Sequence, residues 1–585
     1  MEDTNQVRVL APLPNQAWMR FSLGEYHGGV QNAVRKLSEE NVIQRLWDHD
    51  HTLWNPDPRE ISNRLGWLHC HTHMPPYLPE ISALRDDLIR AGIDTALLLG
   101  MGGSSLAPDL FSKTFPKNPS SLDLLVLDST DPGAILDLHE RLDPVKTIYI
   151  VSTKSGGTEE TLSFLKYFYQ QASQALGSED VGNHFIAITD PGSKLVDLAQ
   201  KFRFRKIFLN DPNLGGRYSA LSHFGMVPAT LTGIDSDRLL GSARDVASLC
   251  SPDKPVPQNP AAILGATLGT MASLGRDKLT FIIPPDLHSF ADWAEQLIAE
   301  STGKHGKGIL PVVGEELGDP EVYAQDRVFV HIYHGNGLEQ LEPALNRGLS
   351  ALEASGHPVI HIGLQDLYDI GGQFLLWELA TALAGNILQI NPFDQPNVEA
   401  AKVRAREMVS AYKSTGSLPA QTPVLETEQF ALFSKNPARS LREAFHSFLE
   451  QANESDYISV QAYLQPLTST TTALNRLQST LREKTHLATT IGYGPRFLHS
   501  TGQLHKGDRG NGLFILLTSS HEHDIPIPDE ISGSNSSMTF GVFILAQALG
   551  DQIALADAGR RLLRIHLYRD PIAAIEFIVQ ELGSI

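Results

Sequence analysis

Residues 147–162 read TIYIVSTKSGGTEETL: an apolar, β-branched run that ends at Val151, a turn of hydroxyls and glycines, and a polar helix-forming segment. This order predicts a buried strand, a loop and a helix. Similar apolar runs begin near residues 95, 122, 184 and 206. Because continuous apolar strands alternating with helices form parallel sheets covered on both faces, we expect a doubly wound α/β domain here.

Two further blocks of the chain repeat this alternation. The second follows the proline-rich segment SPDKPVPQNP, and the third follows a polar segment broken by prolines. The segment before residue 91 is polar and rich in helix formers. The α/β prediction therefore divides the chain into a helical N-terminal region at 1–90, a first doubly wound parallel-sheet domain at 91–250, a second at 251–412, a connector at 413–455 and a C-terminal α/β segment at 456–585.

Composition narrows the class of protein. The 585 residues are 42% hydrophobic and carry a formal net charge of −20, which disfavours a nucleic-acid partner or an anionic membrane surface. No apolar run approaches the roughly 18 residues that span a bilayer. The first residues lack the basic flank and apolar core of a secretory signal, and only two cysteines, Cys70 and Cys250, are present. We expect a cytoplasmic enzyme or small-molecule-binding protein.

Two loops at strand ends carry glycines and hydroxyls. The first is LLLGMGGSSLAP, and the second is the turn within 147–162. Glycines let the backbone approach a ligand, and a helix start offers free N–H groups to phosphate. A tight turn without ligand, or a helix cap at Thr158, is the ordinary alternative for each. A cap uses one hydroxyl, however, and the second loop holds four: Ser152, Thr153, Ser155 and Thr158.

Two more segments hold candidate catalytic residues. In GGRYSALSHFG, Arg217 follows two glycines and could stabilise an oxyanion, although a surface arginine in a turn is the simpler explanation of that segment alone. In DLHSFADWAEQLIAESTGK, Gln296 and Glu300 are four residues apart and share a helix face. Partial burial and the helix C-terminus would raise the pKa of such a carboxyl, whereas an exposed helix-end glutamate is the alternative.

The polar residues of two later segments are less specific. NPFDQPNVEAAK holds Gln395 and Lys402, and LHSTGQLHKGDRG holds His499, His505 and Lys506. Alternating histidines in HCHTHMP and SSHEHD raise the alternative of a metal site, but no matching carboxylate pattern accompanies them. Those histidines are His69, His71, His73, His521 and His523. We expect no functional metal.

Five motifs in order, GMGGSSLAP, STKSGGTEET, GGRYS, ESTGK and FDQPNVEAAK, resemble those of the glucose-6-phosphate isomerases. That family is built from two sugar-isomerase (SIS) domains. The later segments WELATALAGNILQINPFDQPNVEAAK and STGQLHKG resemble most closely the isomerase half of bifunctional transaldolase/glucose-6-phosphate isomerases. No transaldolase half is recognised in this sequence.

The resemblance implies a role for each motif residue. Glu300 would carry the proton between C2 and C1, Arg217 would face the cis-enediol intermediate, and Lys402 would assist ring opening. The remaining positions imply substrate binding, chiefly of the 6-phosphate: Gly103, Ser104, Ser152, Thr153, Lys154, Ser155, Thr158, Gln296 and Gln395.

One departure from the family pattern concerns the ring-opening histidine, which typical members place between the ESTGK-like and FDQ motifs. That interval contains no comparable helix in this sequence. His505 in GQLHKG resembles the missing residue in local sequence, and His305 is the fallback.

These observations predict a glucose-6-phosphate isomerase that needs no cofactor. The alternatives are a non-catalytic SIS regulator that binds a sugar phosphate and a dual phosphoglucose/phosphomannose isomerase. A homodimer is implied by the resemblance, because members often complete the site with a residue of the second subunit.

Overall fold

The computed structural model describes residues 8–14, 17–177, 181–335 and 342–583. Its strands are β1 Arg8–Pro12, β2 Trp18–Ser22, β3 Thr95–Gly100, β4 Asp123–Leu127, β5 Thr147–Ser152, β6 Phe185–Thr189, β7 Lys206–Leu209, β8 Lys278–Ile282, β9 Leu310–Val312, β10 Arg327–His334, β11 Val359–Leu364, β12 Leu425–Glu426, β13 Phe430–Ser434, β14 Tyr457–Tyr463, β15 Ala488–Tyr493, β16 Gly512–Ser519, β17 Pro526–Ile527, β18 Met538–Thr539 and β19 Arg561–Leu567.

Its α-helices are α1 His27–Glu39, α2 Val42–Trp47, α3 Cys70–His73, α4 Leu78–Arg90, α5 Leu106–Thr114, α6 Pro132–Arg141, α7 Glu159–Leu176, α8 Lys194–Lys201, α9 His223–Leu231, α10 Ser236–Leu249, α11 Pro260–Ser273, α12 His288–Thr302, α13 Pro343–Ala354, α14 Asp369–Leu388, α15 Val398–Thr415, α16 Leu441–Leu449, α17 Thr468–Thr485, α18 Gly502–Gly507, α19 Phe540–Asp557 and α20 Pro571–Gly583. Short 3₁₀ turns link several of them.

The first sheet holds five parallel strands in the order β4-β3-β5-β6-β7. These are the five strands predicted from the apolar runs, and the doubly wound α/β class is confirmed. β3 and β5 are neighbours, with Gly100 opposite Ser152 at their carboxyl ends. The two glycine-and-hydroxyl loops therefore leave the sheet side by side, where ligands of such sheets bind.

The second sheet has the order β1-β2-β11-β10-β8-β9, with β8 to β11 parallel. Its antiparallel edge, β1 and β2, comes from residues 8–22, so the predicted helical N-terminal region also contributes two strands that were not expected. Met19 and Phe21 are fully buried from this edge. The two runs are short and separated by prolines, and their partner β11 lies far along the chain, so local pattern did not reveal them. Residues 1–7 of that region lie outside the described residues.

The third sheet has the order β12-β13-β19-β16-β14-β15. β14, β15, β16 and β19 are parallel, as expected for the C-terminal α/β segment. The predicted connector at 413–455 differs from expectation, because its β13 pairs antiparallel with β19 and its α16 buries Phe445 and Phe448 in the same unit. A pairing partner so distant in sequence leaves no local signal. The boundaries of the folding units stay a prediction.

Two apolar helices lie inside the protein. α14 is buried along almost its whole length and packs against α10 and α11. α19 is the one described helix long and apolar enough to cross a membrane, but 67% of that window is buried and the helix packs along α15. A buried core helix passes the same test of length and composition. Cys70 and Cys250 are both buried and unpaired.

Candidate active site

The two loops after β3 and β5 contact each other. The Ser152 hydroxyl donates to the Ser104 carbonyl at 3.1 Å, and the Thr153 and Thr158 hydroxyls lie 3.0 Å apart. Thr158 occupies the N-cap position of α7 but makes no side-chain cap hydrogen bond. The ordinary explanation of Thr158 as a helix cap is therefore not realised, and the Thr158 side chain does not occupy the N–H groups at the start of this 18-residue helix.

Gly103 fits where two backbones meet. A Cβ atom built on Gly103 would lie 2.0 Å from the Gly216 carbonyl oxygen, so no side chain can occupy this position without backbone movement. This contact places the first loop directly against the turn that carries Arg217.

Arg217 is 3% exposed and is held from every side. Its Nε donates to Ser301 Oγ at 2.8 Å, and its Nη1 donates to Gln395 Oε1 at 3.0 Å. Nη2 donates to the carbonyls of Pro392 and Asp394. A guanidinium fixed in this way cannot reorient when charge develops nearby, which is the arrangement that stabilises an oxyanion.

Glu300 lies one turn from the end of α12 and is 7% exposed. Its Oε1 is 3.4 Å from Arg217 Nη1, and its Oε2 accepts a hydrogen bond from Gln296 Nε2 at 3.2 Å. The alternative of an exposed helix-end glutamate does not hold. Arg217, Gln296, Glu300 and Gln395, predicted from three separate motifs, form one buried cluster, which we call the oxyanion pocket.

A cavity of about 190 Å³ lies elsewhere on this face and is lined by none of these four residues. The second loop contributes Ser155, Gly157 and Thr158 to its wall, and α15 contributes Lys402 and Arg406. The cavity and the oxyanion pocket are linked through Gln296, whose Nε2 also donates to the His499 carbonyl at 2.6 Å. His499 lines the cavity itself.

His505 and Lys154 take no part in this arrangement. His505 is buried among Tyr457, Phe497 and Phe514, and its Nδ1 is 3.2 Å from Gln461 Nε2. Burial, with Lys506 and Arg560 nearby, holds the pKa of His505 well below its usual value.

The structure therefore does not bring His505 to the cavity that holds Lys402. His305, the fallback, is exposed on a turn after α12. Lys154 forms an ion pair with Asp190 at 2.5 Å instead of facing the cavity.

Sequence reasoning missed the partners of His499. Its Nε2 lies 3.1 Å from Glu160 Oε1, which also accepts from Gln547 Nε2 at 2.7 Å. Burial alone would raise the pKa of Glu160, but the adjacent His499 outweighs it and the pKa is lowered. His499 stood in a recognised segment, whereas Glu160 looked like an ordinary first-turn helix residue and Gln547 lies on an apolar helix.

Lys304 was also missed as a site residue, although it closes the ESTGK motif. It is fully buried, and its Nζ donates to the Asp394 carbonyl and to Asp394 Oδ1 at 2.7 Å. Burial, followed by the charge of Arg217, lowers the pKa of Lys304 to about 8. It holds the segment that carries Gln395 against the oxyanion pocket.

The histidine-rich segments do not assemble into a metal centre in the part of the chain that the structure describes: no group of three or more His, Cys, Asp or Glu side chains there could hold an ion. His49 and His69 are 2.9 Å apart through their Nε2 atoms, and His71 is buried.

The sequence of the chain is similar to those of known sugar-phosphate isomerases. Residues 89–335 match the phosphoglucose isomerase family. A glucose-6-phosphate isomerase of Thermus thermophilus is 28% identical over 392 residues, which cover 60% of this chain and 91% of that protein. Another, of Citrifermentans bemidjiense, is 30% identical and covers 53% of this chain and 64% of that protein. The chain is thus a homologue of glucose-6-phosphate isomerases at modest identity.

Solved structures agree with the sequence comparison. A hypothetical protein of Thermus thermophilus matches at a TM-score of 0.57, with 26% identity over 66% of this chain and 99% of that one. A glucose-6-phosphate isomerase of Chlamydia trachomatis matches at a TM-score of 0.55, with 19% identity over 67% of this chain and 88% of that one. The second likeness shows the fold alone. The family match begins at the end of α4 and ends after β10, so it includes neither β11 nor the third sheet.

Proposed function

We propose that this chain is a glucose-6-phosphate isomerase that interconverts glucose 6-phosphate and fructose 6-phosphate through a cis-enediol. The observation that carries the proposal is the buried contact of Glu300 with Arg217 and Gln296, which a hydrogen bond from Gln296 to the His499 carbonyl links to a cavity lined by the start of α7. A base, an oxyanion partner and an anion-binding helix start are the groups that this reaction needs.

The 6-phosphate would bind at the second loop, where Ser155 and Thr158 line the cavity, and the first loop joins it through the hydrogen bond from Ser152 to the Ser104 carbonyl. Lys402 and Arg406, which also line the cavity, supply positive charge, and Arg406 is paired with Glu399. Because the phosphate is remote from the reacting carbons, its binding energy can hold C1 and C2 in position for proton transfer.

Glu300 would then remove the proton from the carbon beside the carbonyl. The negative charge that develops on the oxygen is stabilised by Arg217, which cannot reorient, and Gln296 and Gln395 position the hydroxyls. Glu300 returns the proton to the neighbouring carbon, so no electron acceptor is consumed and no cofactor is required for the balance.

Ring opening needs an acid and a base before this step. The sequence favoured Lys402 and His505 for it. The position of His499 in the cavity supports His499 in place of His505, with Glu160 as the carboxylate that orients its ring.

A sugar-phosphate-binding regulator would need the phosphate loops but not the oxyanion pocket. Placing Glu300, Arg217 and Lys304 together in the interior costs desolvation free energy that mere binding of a phosphate does not require. We therefore favour the enzyme. Dual action on mannose 6-phosphate depends on the C2 epimer and is decided by assay.

The remaining parts of the proposal rest on sequence resemblance. These parts are that the protein is cytoplasmic, that it forms a homodimer, and that it is related most closely to the isomerase half of the bifunctional proteins. The resemblance of the late STGQLHKG segment is what supports this relation, and Gly502 and Lys506 of that segment line the cavity.

The decisive experiment is a coupled assay for fructose 6-phosphate formation from glucose 6-phosphate. It is run with and without a chelator, and with mannose 6-phosphate as an alternative substrate. We expect turnover that chelation does not change. Phosphate-dependent binding of glucose 6-phosphate without turnover would leave the regulator as the correct function.

A further inference from the structure

We propose that the unit built on the third sheet completes the active site of its own chain. We further propose that Arg496 holds this unit in place against the other two. This inference rests on the proposed function. The segment concerned, residues 494–507, is called the C-terminal arm; it contains the 3₁₀ turn Arg496–His499 and α18.

The C-terminal arm packs against the first two units at backbone distance. A Cβ atom built on Gly303 would lie 2.3 Å from Leu504 Cα, and one built on Gly507 would lie 2.3 Å from the Gly303 carbonyl. At Gly102 a Cβ atom would meet the His499 Cβ at 3.0 Å. Glycines at these three contacts let the arm lie directly on the end of α12 and on the first loop.

Arg496 joins the arm to both neighbours through three carboxylates. It lies 3.0 Å from Asp109 on α5, 3.3 Å from Asp128 after β4 and 3.6 Å from Asp292 on α12. Burial opposes its charge, but these carboxylates outweigh burial and raise the pKa of Arg496. Without the guanidinium, clustered carboxylates would repel one another, so Arg496 is needed wherever the arm is docked.

The docked arm contributes His499 to a group of cavity-lining residues that we call the catalytic wall: Glu160, Lys402, His499 and Gln547. His499, three residues after Arg496, contacts Glu160 on α7, and Lys506 pairs with the fully buried Asp551 at 2.6 Å. All of these contacts are made within one chain. A dimer, as expected from the family resemblance, would then need no exchange of catalytic residues between its subunits.

Complementation tests the single-chain site. Glu300→Gln and His499→Asn variants are co-expressed, and fructose 6-phosphate formation per milligram of total enzyme is compared with wild type and with each variant alone. We expect no recovery above the sum of the two variants. Recovery toward a quarter of wild-type activity would show that another copy supplies the arm and would overturn the proposal.

The same series separates this proposal from the proposed function. An inactive wild-type enzyme would refute the isomerase itself. An active wild type with a His499→Asn variant within twofold of it would refute the catalytic wall alone.

Arg496→Gln tests the fastening. We expect a fall in kcat of about 100-fold or more, partial rescue by Arg496→Lys, and retained binding of inorganic phosphate, since the phosphate loops belong to the first unit. The matched control is Arg509→Gln, a half-exposed arginine of the same unit paired with Asp277. Equal effects of the two substitutions on kcat would contradict a positioning role for Arg496.

Discussion

The oxyanion pocket and the wall around His499 differ in how their polar groups are held. In the oxyanion pocket, Arg217 and Glu300 are nearly inaccessible, and each guanidinium nitrogen has a fixed partner. In the wall, His499 keeps 15% of its side chain exposed and Lys402 reaches the cavity from an exposed helix position. A group that stabilises charge gains from rigidity, whereas a group that exchanges protons with a ring oxygen needs access to it.

The largest expected effect is on the oxyanion pocket, the more rigid of the two regions. Glu300→Gln keeps the size and the hydrogen bond from Gln296 but removes the base, so we expect kcat to fall by about 1,000-fold or more. Binding of glucose 6-phosphate, measured by calorimetry, should change little. The exposed Glu316→Gln on the loop after β9 is the control and should be silent. Near-normal turnover by Glu300→Gln would remove Glu300 as the base.

The substitution His499→Asn tests the more accessible region, the wall around His499. Its expected effect is about 100-fold on turnover, because it removes the acid–base group for ring opening. Ring opening is measured separately as the exchange between the anomers of glucose 6-phosphate in NMR spectra, in a Glu300→Gln background that cannot isomerise. We expect exchange faster than the uncatalysed rate to persist in Glu300→Gln and to fall to the uncatalysed rate when His499→Asn is added.

The control for ring opening is His505→Asn in the same background. It should destabilise its aromatic surroundings without stopping anomer exchange. Loss of exchange with His505→Asn and not with His499→Asn would restore the assignment made from the sequence.

A smaller effect is expected at the phosphate end of the cavity. Thr158→Val removes a hydroxyl of the cavity lining that we propose to contact the phosphate, and a hydrogen bond to a charged group contributes about 1.5–3 kcal/mol. We therefore expect KM to rise by roughly 10- to 100-fold with kcat nearly unchanged. Thr472→Val, at an exposed helix position, is the matched control. A fall in kcat at constant KM would place Thr158 in the chemical step instead.

The smallest expected effect is on the stability of the folded state and concerns Glu295, on whose carboxyl the charge of Arg496 acts. Burial, with Asp292 nearby, raises the pKa of Glu295 to about 8, from an ordinary value of 4.5. A raised pKa means that the folded state binds the proton more tightly, so the stability that this proton gives is present below pH 4.5 and is lost as pH rises to about 8.

Glu295→Gln keeps a neutral group at every pH. We expect its melting temperature to exceed that of wild type by a few degrees at pH 8, with the difference shrinking toward pH 5. Differential scanning calorimetry from pH 5 to 9 measures it. A difference that is constant over this range would show that Glu295 does not titrate there.

The two regions also differ in how well the sequence predicted them. The residues of the oxyanion pocket lie in compact motifs, so each could be recognised locally, and the parallel order of β3 and β5 then brought the loops together. The wall joins Glu160 to His499 and Gln547, more than 300 positions later, and no local pattern encodes such a contact. For the same reason the edge strands β2 and β13, whose partners are distant, were missed.

His505 was misplaced for a related physical reason. Its segment is polar in composition, which suggested a solvated loop, but the fold buries it against Tyr457 and Phe514, and His499 lines the cavity instead. Sequence identifies the histidines of a segment more readily than the direction in which a short helix presents them.

The contact of Gly103 with Gly216 gives the enzyme a mechanical property. Because the two backbones touch without any side chain between them, the first loop and the turn that bears Arg217 cannot move closer together, and a side chain at position 103 would force them apart. If the 6-phosphate binds at the first loop, it would therefore also limit the movement of the Arg217 guanidinium. Gly103→Ala would separate the loop from that turn and so uncouple phosphate binding from the position of Arg217.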